Sequence, residues 1–467
     1  MRRIASAALC LVLFACGGGD QCSITEQKTF LRSWTDNLYL WYREVPAVDP
    51  AQFSDPVGYF NQLKTPLKTA SGKDKDQFHF SMSTADWRAL SQTGVQAGYG
   101  VTWALLSTTP PRKALAAYTE PGSPAVANSV TRGMEVLTVD GVDLVNANTS
   151  AAVDALNAGL FPSGTGQSHT FGVKDPGGAT RTITMISQNV TSAPVQNVST
   201  IDTATGKVGY MLFNDHLATA EKALVDAVNQ LKAAAITDLV IDIRYNGGGY
   251  LAIASELAYM IAGPTRTSGK TFDQITFNDK HPTTDPVTGQ ALTPTPFYNQ
   301  AVGLSVNQGV ALPTLGLGRV FVLTGSSTCS ASEAILNGLS GVDVQVIQMG
   351  GTTCGKPYGF YPQDLCGTTY FSIEFQGVNA KGFGDYADGF TPGATTPGSF
   401  VGCPLTDDFG HALGDPNEAL FAAAIAFRTS PACVSTPTTA LVSGGLRGDG
   451  KVVKSAWQEN RIALPSR

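Results

Sequence analysis

Asp238-Leu239-Val240-Ile241-Asp242-Ile243-Arg244 runs without a break into Tyr245-Asn246-Gly247-Gly248-Gly249. A short, β-branched apolar run ended by glycines reads as a strand buried on both faces, the pattern of a parallel sheet. Parallel neighbours need a crossover, usually a helix. The helical run from Ala218 to Ala235 ends just before this strand and suits that role. Val208-Gly209-Tyr210-Met211-Leu212-Phe213 and Arg319-Val320-Phe321-Val322-Leu323-Thr324 are further strands. Residues 205–430 are therefore expected to form one α/β domain. Within it, residues 266–318 are rich in Thr, Pro, Asn and Gly and read as an extended hairpin or loop insertion.

The chain has 467 residues, more than one ordinary core accommodates, so two or three domains are expected. Upstream of the α/β part, Phe30, Trp34, Leu38, Trp41 and Tyr42 recur at helical spacing. Residues 26–92 thus read as a small helical cap, with His79 a packed structural residue. Residues 95–190 change to β character. Gly98-Tyr99-Gly100-Val101 opens that stretch, followed by Glu120-Pro121-Gly122-Ser123-Pro124-Ala125 and by two strand runs joined at Asp140-Gly141. After residue 430 the chain becomes polar and irregular, and 431–467 reads as a tail without assigned chemistry.

Composition narrows the class. A net charge of −6 with no basic run argues against nucleic-acid binding. Arg2 and Arg3 precede an apolar stretch from Ile4 to Ala15, shorter than the roughly 20 residues a spanning helix needs. Residues 1–15 therefore read as a signal peptide. Leu13-Phe14-Ala15-Cys16 resembles a bacterial lipobox, which makes Cys16 the lipidation residue and 16–25 a tether. Export with cleavage nearby is the other reading. Either way the folded part is expected in the cell envelope facing the periplasm, with the outer membrane favoured, or outside the cell.

The cysteines fit such an oxidising compartment. Of eight, Cys10 leaves with the signal and Cys16 takes lipid, which leaves Cys22, Cys329, Cys354, Cys366, Cys403 and Cys433. Sequence alone does not choose among their pairings. Cys354–Cys366 and Cys403–Cys433 are the expected bridges, since each closes a modest loop. No CxxC pair occurs, and no metal site is expected.

Ser330-Ala331-Ser332-Glu333 follows the strand at 319–324, and Lys356 comes 26 residues after Ser330. Ser-x-x-Glu before an apolar run is a capping box, which needs no catalytic role. The same position puts a hydroxyl at a helix N-terminus, where backbone amides favour developing negative charge. Ser332 is the rival nucleophile. A lysine is a base only when neutral, and its ordinary pKa of about 10.4 must fall. Burial supplies that shift, and Cys354, Pro357, Tyr358 and Phe360 around Lys356 bring no acid. The amides of Gly248 (or Gly249) and Ala331 are the candidate oxyanion hole. Asp242 and Arg244 are expected to fix local geometry.

Taken together these strings resemble the C-terminal-processing (tail-specific) serine peptidases. The matching pieces are Asp242 to Gly249, Thr328 to Glu333, Gly355-Lys356, Ala387 to Pro392 and Leu413 to Leu420, with coverage of about 26–430. The resemblance implies a multidomain α/β protein with a helical cap, a PDZ-like β-rich domain and a crotonase-like ββα protease core. It implies Ser330 as nucleophile, Lys356 as general base, Gly248 and Ala331 as oxyanion donors, and Gly98, Tyr99, Gly100 and Val101 as the loop gripping a substrate's C-terminus. No cofactor follows from it, and the partner is a protein or peptide substrate. Two departures stand out. The Ser-to-Lys interval is one residue longer than the family's usual spacing. Phe360 also occupies the position where the family usually has a lysine-orienting glutamine, for which Gln363 is the substitute at hand. Cys329 and Cys354 flank the two candidates, and a bridge there would make the site redox-sensitive. A catalytically silent peptide-binding lipoprotein is the alternative.

Overall fold

In the computed structural model, residues 22–393 and 397–433 are described, together with the backbone strand pairs 452–453 and 461–462. The signal segment, Cys16 and most of the tether and tail lie outside the described residues. Among the described residues no helix is long and apolar enough to cross a membrane.

The core is a six-stranded sheet in the order Val195–Thr203, Gly206–Phe213, Asp238–Asp242, Arg319–Thr324, Gln345–Gly350 and Gly402–Pro404. The first pair is antiparallel and the other four pairings are parallel. Strand residues alternate between two apolar layers, as a period of two requires. Met211, Phe213, Leu239, Ile241, Val320 and Val322 pack with helices Ala220–Ala233, Leu251–Ala262 and Ala331–Gly341. Tyr210, Leu212, Val240, Phe321 and Leu323 pack instead on helix Ala419–Phe427. Both faces are covered, which is why the middle of strand Asp238–Asp242, Leu239-Val240-Ile241, is apolar without alternation.

The N-terminal region is helical at Ile24–Leu38, where Ser23 caps the helix through Glu26 N–H. Leu31, Trp34 and Leu38 bury against Tyr59, Phe60, Leu63 and Tyr370. The region then contributes a strand, Phe80–Ser83, antiparallel to Thr368–Phe371 of the core. It is thus stitched into the α/β core and not merely laid on top of it.

Between the two lies a β-rich unit with strands Val101–Ser107, Lys113–Thr119, Glu135–Val139, Ser168–Lys174 and Thr180–Ile186 in that spatial order. Trp103, Val136, Phe171 and Met185 fill its interior with Leu156 and Leu160 of helix Ser150–Leu160. Val95–Gly98 pairs with Gln188–Thr191 at its base.

The segment after residue 430, read from sequence as an irregular tail, supplies two short strands. Val452–Val453 pairs antiparallel with Val101–Ser107. Arg461–Ile462 pairs in parallel with Gly249–Tyr250. Their β-branched residues suit strands, but runs this short carry no period that marks them in sequence.

Candidate active site

A single buried carboxylate organises the site. Glu333 Oε2 accepts the backbone N–H of Ser330 at 2.9 Å and that of Lys356 at 2.8 Å. Its Oε1 accepts Gly355 N–H at 2.9 Å and the Thr353 hydroxyl at 2.5 Å. Residues far apart in the chain are thereby tied to one side chain. Burial pushes the Glu333 carboxyl above its usual range, and the donors from Thr353, Lys356, Ser330 and Gly355 pull only part of the way back. Sequence reading gave Glu333 only a capping role. A carboxylate at the start of a small, apolar helix was the available signal.

Ser330 and Lys356 are both fully buried. Ser330 sits where the strand Arg319–Thr324 turns into helix Ala331–Gly341, at φ +61°. A side chain held in that region is strained and persists only where its surroundings over-determine it. Here the Glu333 bond and the bond from Cys329 N–H to Asn246 C=O at 3.0 Å supply the constraint. Ala331 is the first helical residue, so its N–H is among those without an intrahelical acceptor. Among the described residues the Ser330 hydroxyl has no hydrogen-bond partner, so no Ser–Lys hydrogen bond is made in this conformation. The hydroxyl of Ser332 donates to Asn246 C=O at 3.0 Å.

The Lys356 ammonium nitrogen lies 4.5 Å from the ring centre of Phe78 and 4.8 Å from that of Phe360. The residue standing in the glutamine position therefore gives the lysine an aromatic face, and the N-terminal region supplies the second. Gln363 lies on a strand paired with Tyr370, and its amide donates to Asp364 C=O at 3.0 Å. His79, beside Phe78, is stacked on Phe60 with its Nε2 2.8 Å from Phe60 C=O. Burial lowers its pKa to about 4.

The expected bridge Cys354–Cys366 is not formed. Cys354 pairs with Cys329, Cys366 with Cys22, and Cys403 with Cys433. Short sequence separation misled here because spatial neighbours decide. Cys354 N–H donates to Thr328 C=O at 3.0 Å, which sets it beside Cys329, while Cys366 sits at positive φ in the turn of a separate hairpin. One disulfide thus crosses directly between the serine and lysine segments. Cys329, Glu333 and Cys354 bring their ligand atoms within 4.8 Å of one another, but joined sulfurs offer no thiolate to a metal.

The glycine loop is committed differently from expectation. Gly248 N–H donates to the side-chain oxygen of Asn246 at 3.0 Å, so it does not stand free as an oxyanion donor. Asn246 is itself fixed by donation to Phe213 C=O at 2.9 Å and by His216 Nδ1 at 3.0 Å. With Asn246 oxygen as acceptor, Nδ1 is the protonated ring nitrogen. Gly249 lies at φ +132°, and a Cβ there would meet His216 C=O at 2.5 Å, so only glycine fits.

Gly98, Tyr99, Gly100 and Val101 lie at the end of the β-rich unit, where the chain enters its edge strand. The carbonyls of Tyr99 and Gly100 accept Ala125 and Glu120 N–H at 2.9 and 2.7 Å, and a Cβ at Gly100 would collide with Ser123. This unit meets the core through Arg132, whose guanidinium reaches Asp407 at 2.6 Å and the Tyr245 hydroxyl at 2.6 Å. Arg244 also binds Asp407, at 2.7 Å, together with Glu418 and Asp242. Tyr245 precedes Asn246, so the junction abuts the glycine loop. Arg132 and Asp407 carried no sequence signal that linked them.

Fold and site together define a multidomain α/β protein with a strained serine at a strand-to-helix turn. Residues 207–375 match peptidase family S41, and 26–82 match the peptidase S41 N-terminal domain. Over those two stretches the chain is similar to the S41 peptidases. A carboxyl-terminal-processing protease of Picosynechococcus sp. is 31% identical over 140 residues, which span 30% of this chain and 32% of that relative. A crystal structure from Bacteroides fragilis, assigned to the S41 proteases, superposes with a TM-score of 0.63 at 22% identity, over 86% of this chain and 97% of that one. That likeness establishes the fold.

Proposed function

We propose that this protein is a serine endopeptidase that cleaves proteins or peptides near their C-termini. Ser330 Oγ attacks the scissile carbonyl, and Lys356 Nζ takes its proton. The oxyanion is received by Ala331 N–H and by a glycine-loop amide once that loop has turned away from Asn246. Water then releases the acyl group. The β-rich unit acts as a PDZ-like domain, with Gly98 to Val101 holding the substrate's terminal carboxylate. The protein acts in the cell envelope or outside it, anchored through Cys16 or exported. No cofactor is required.

The observation that carries this reading is the Glu333 carboxylate, which binds the backbones of Ser330 and Lys356 at once. Lys356 is fully buried beside Phe78 and Phe360, and the match to the S41 family supports the assignment. A second reading, a catalytically silent peptide binder, draws on the unpartnered Ser330 hydroxyl and the engaged Gly248 amide.

Cleavage of an unfolded protein with a free apolar C-terminus, followed by mass spectrometry, separates the two. The soluble chain lacking residues 1–16 should cleave it, and Ser330→Ala and Lys356→Ala should each abolish cleavage. A parent that binds the peptide without turnover establishes the silent reading, and a Ser330→Ala protein that cleaves at the parental rate removes Ser330 as nucleophile.

A further inference from the structure

The Glu333 carboxylate is saturated. A carboxylate offers about four lone-pair sites, and Ser330 N–H, Lys356 N–H, Gly355 N–H and the Thr353 hydroxyl fill them. Two further polar atoms stand within reach. Cys354 Sγ lies 3.4 Å from Glu333 Oε2, and Cys329 Sγ lies within 4.8 Å of the carboxylate. Both sulfurs belong to one disulfide, so neither carries a proton and neither donates. Opening that bridge turns each sulfur into a thiol, a donor where there was none. Glu333 has no site left for it. A thiol that bonds Oε2 must displace the N–H of Ser330 or of Lys356.

We infer that the Cys329–Cys354 bridge is a redox switch for the site: closed, it leaves Glu333 to the Ser330 and Lys356 backbones; opened, its thiols take the carboxylate and turnover falls. This rests on the peptidase reading for what is switched. Ser330 is the vulnerable partner, because its backbone at φ +61° persists only under constraint. The chemistry needs a dithiol reductant. Cys329 is fully buried and Cys354 half-buried, so an incoming thiolate meets Cys354 Sγ first. The S–S bond breaks, and the Cys329 sulfur leaves with the electron pair and takes a proton. The reductant's second thiol then attacks the mixed disulfide, frees Cys354 as a thiol and leaves the reductant as its own disulfide. Closure is equally accessible. Cys354 N–H bonds Thr328 C=O and Cys329 N–H bonds Asn246 C=O, both at 3.0 Å, and neither contact uses sulfur, so the two thiols stay neighbours.

The test compares three proteins lacking residues 1–16, each first shown to be folded by near-UV circular dichroism. One is the parent. The second combines Cys329→Ala with Cys354→Ala and has neither bridge nor thiol. The third combines Cys329→Ala with Cys354→Ser and places a hydroxyl donor near Glu333. Cleavage of the unfolded substrate is timed with and without dithiothreitol, and free thiols are alkylated and located by mass spectrometry. Reduction should lower the parent's kcat about ten-fold, the worth of one displaced hydrogen bond to a charged acceptor, leave KM unchanged, and reverse on reoxidation. The double-alanine form should keep a kcat near that of the bridged parent and ignore dithiothreitol. It retains Cys22–Cys366 and Cys403–Cys433, so its indifference assigns the effect to the third bridge. The serine form should be as slow as the reduced parent. Amide hydrogen exchange over 328–333 and 353–357 is a readout that needs no turnover. It should quicken in the reduced parent and the serine form relative to the double-alanine form. Free Cys329 and Cys354 in a parent with unchanged kcat and exchange overturn the inference, and so does a bridge that stays closed in excess dithiothreitol. A double-alanine form as slow as the reduced parent also overturns it, since the bridge is then a structural tie. A parent that cleaves in neither state removes the peptidase reading, and the exchange pattern alone then decides the switch.

Discussion

Two polar centres, one buried at Glu333 and one half-buried at Asp407, lie close to the glycine loop and are built on opposite principles. At Glu333 one carboxylate is surrounded by neutral donors, three of them backbone amides. At Asp407 a carboxylate is held between two guanidinium groups, Arg132 from the β-rich unit and Arg244 from the core. Burial raises the Glu333 carboxyl. At Asp407 burial pushes the same way, but Arg244 and Arg132 outweigh it and hold the group below its usual range. Backbone donors cannot swing away as side chains can, so Glu333 locks the serine and lysine segments into one piece. Charges on side chains can part and re-form, and that is what a junction between two units needs.

Removing the first centre should have the largest effect. Glu333→Ala leaves three amides and the Thr353 hydroxyl buried without an acceptor. At about 1–3 kcal/mol for each unsatisfied group, with partial relaxation, a loss of about 4 kcal/mol is expected in urea unfolding. Activity should fall with it, because Ser330 loses the bond that holds its strained backbone. A variant within 1 kcal/mol of the parent (roughly the worth of one ordinary hydrogen bond) would show that the carboxylate is incidental.

The second centre should break more gently. In Arg132→Ala the Asp407 carboxylate keeps Arg244 and Tyr245, so it is not abandoned. A loss of about 2 kcal/mol is expected, below the range for stripping a buried charge of its partner. The distinguishing sign is cooperativity. If Arg132 joins two units, its loss should let the β-rich unit unfold in a separate, earlier transition. A single transition merely shifted to lower denaturant would make Arg132 an ordinary stabilising residue of one body.

These two centres also mark how far sequence reading reaches. The sheet was legible because β-branched runs such as Asp238 to Arg244 end in glycines, and the position of Ser330 at a strand-to-helix turn was legible because a strand and an apolar helix bracket it. The cysteine pairing was not, since Cys22 reaches Cys366 across 344 residues and no local pattern encodes that approach. Gly248 was correctly singled out as a special backbone position, yet the direction of its amide depends on the Asn246 side chain. The partnership of Arg132 with Asp407 is likewise a product of assembly, and an arginine in a turn looks the same whether it is buried or solvated.

Acidity sharpens the comparison, because the two centres respond with opposite sign. Asp407 is depressed below its ordinary 3.8. Its contribution is present above that value and is lost as pH falls through the folded-state pKa. Glu333 is raised above 4.5, so its contribution is present below 4.5 and is lost as pH rises through its own folded-state pKa. Two further buried acids extend that limb. Burial raises both Glu256 and Glu374 from 4.5 to about 8. Between these limits the unfolded chain releases protons that the folded one keeps, and stability declines by up to about 1.4 kcal/mol per pH unit for each such group. His79, lowered from 6.5 to about 4, opposes this below pH 6.5, where the unfolded chain takes up a proton that the folded ring refuses. Above 6.5 that opposition is gone, so the decline should be steepest between pH 6.5 and 8. Glu374→Gln should remove one share of it, since the amide can still accept Tyr361 N–H, which the carboxylate now does at 2.9 Å. Urea melts of parent and variant across that window measure the difference directly. A parent as stable at pH 8 as at 6.5 would mean that these carboxyls ionise in the folded protein at little cost.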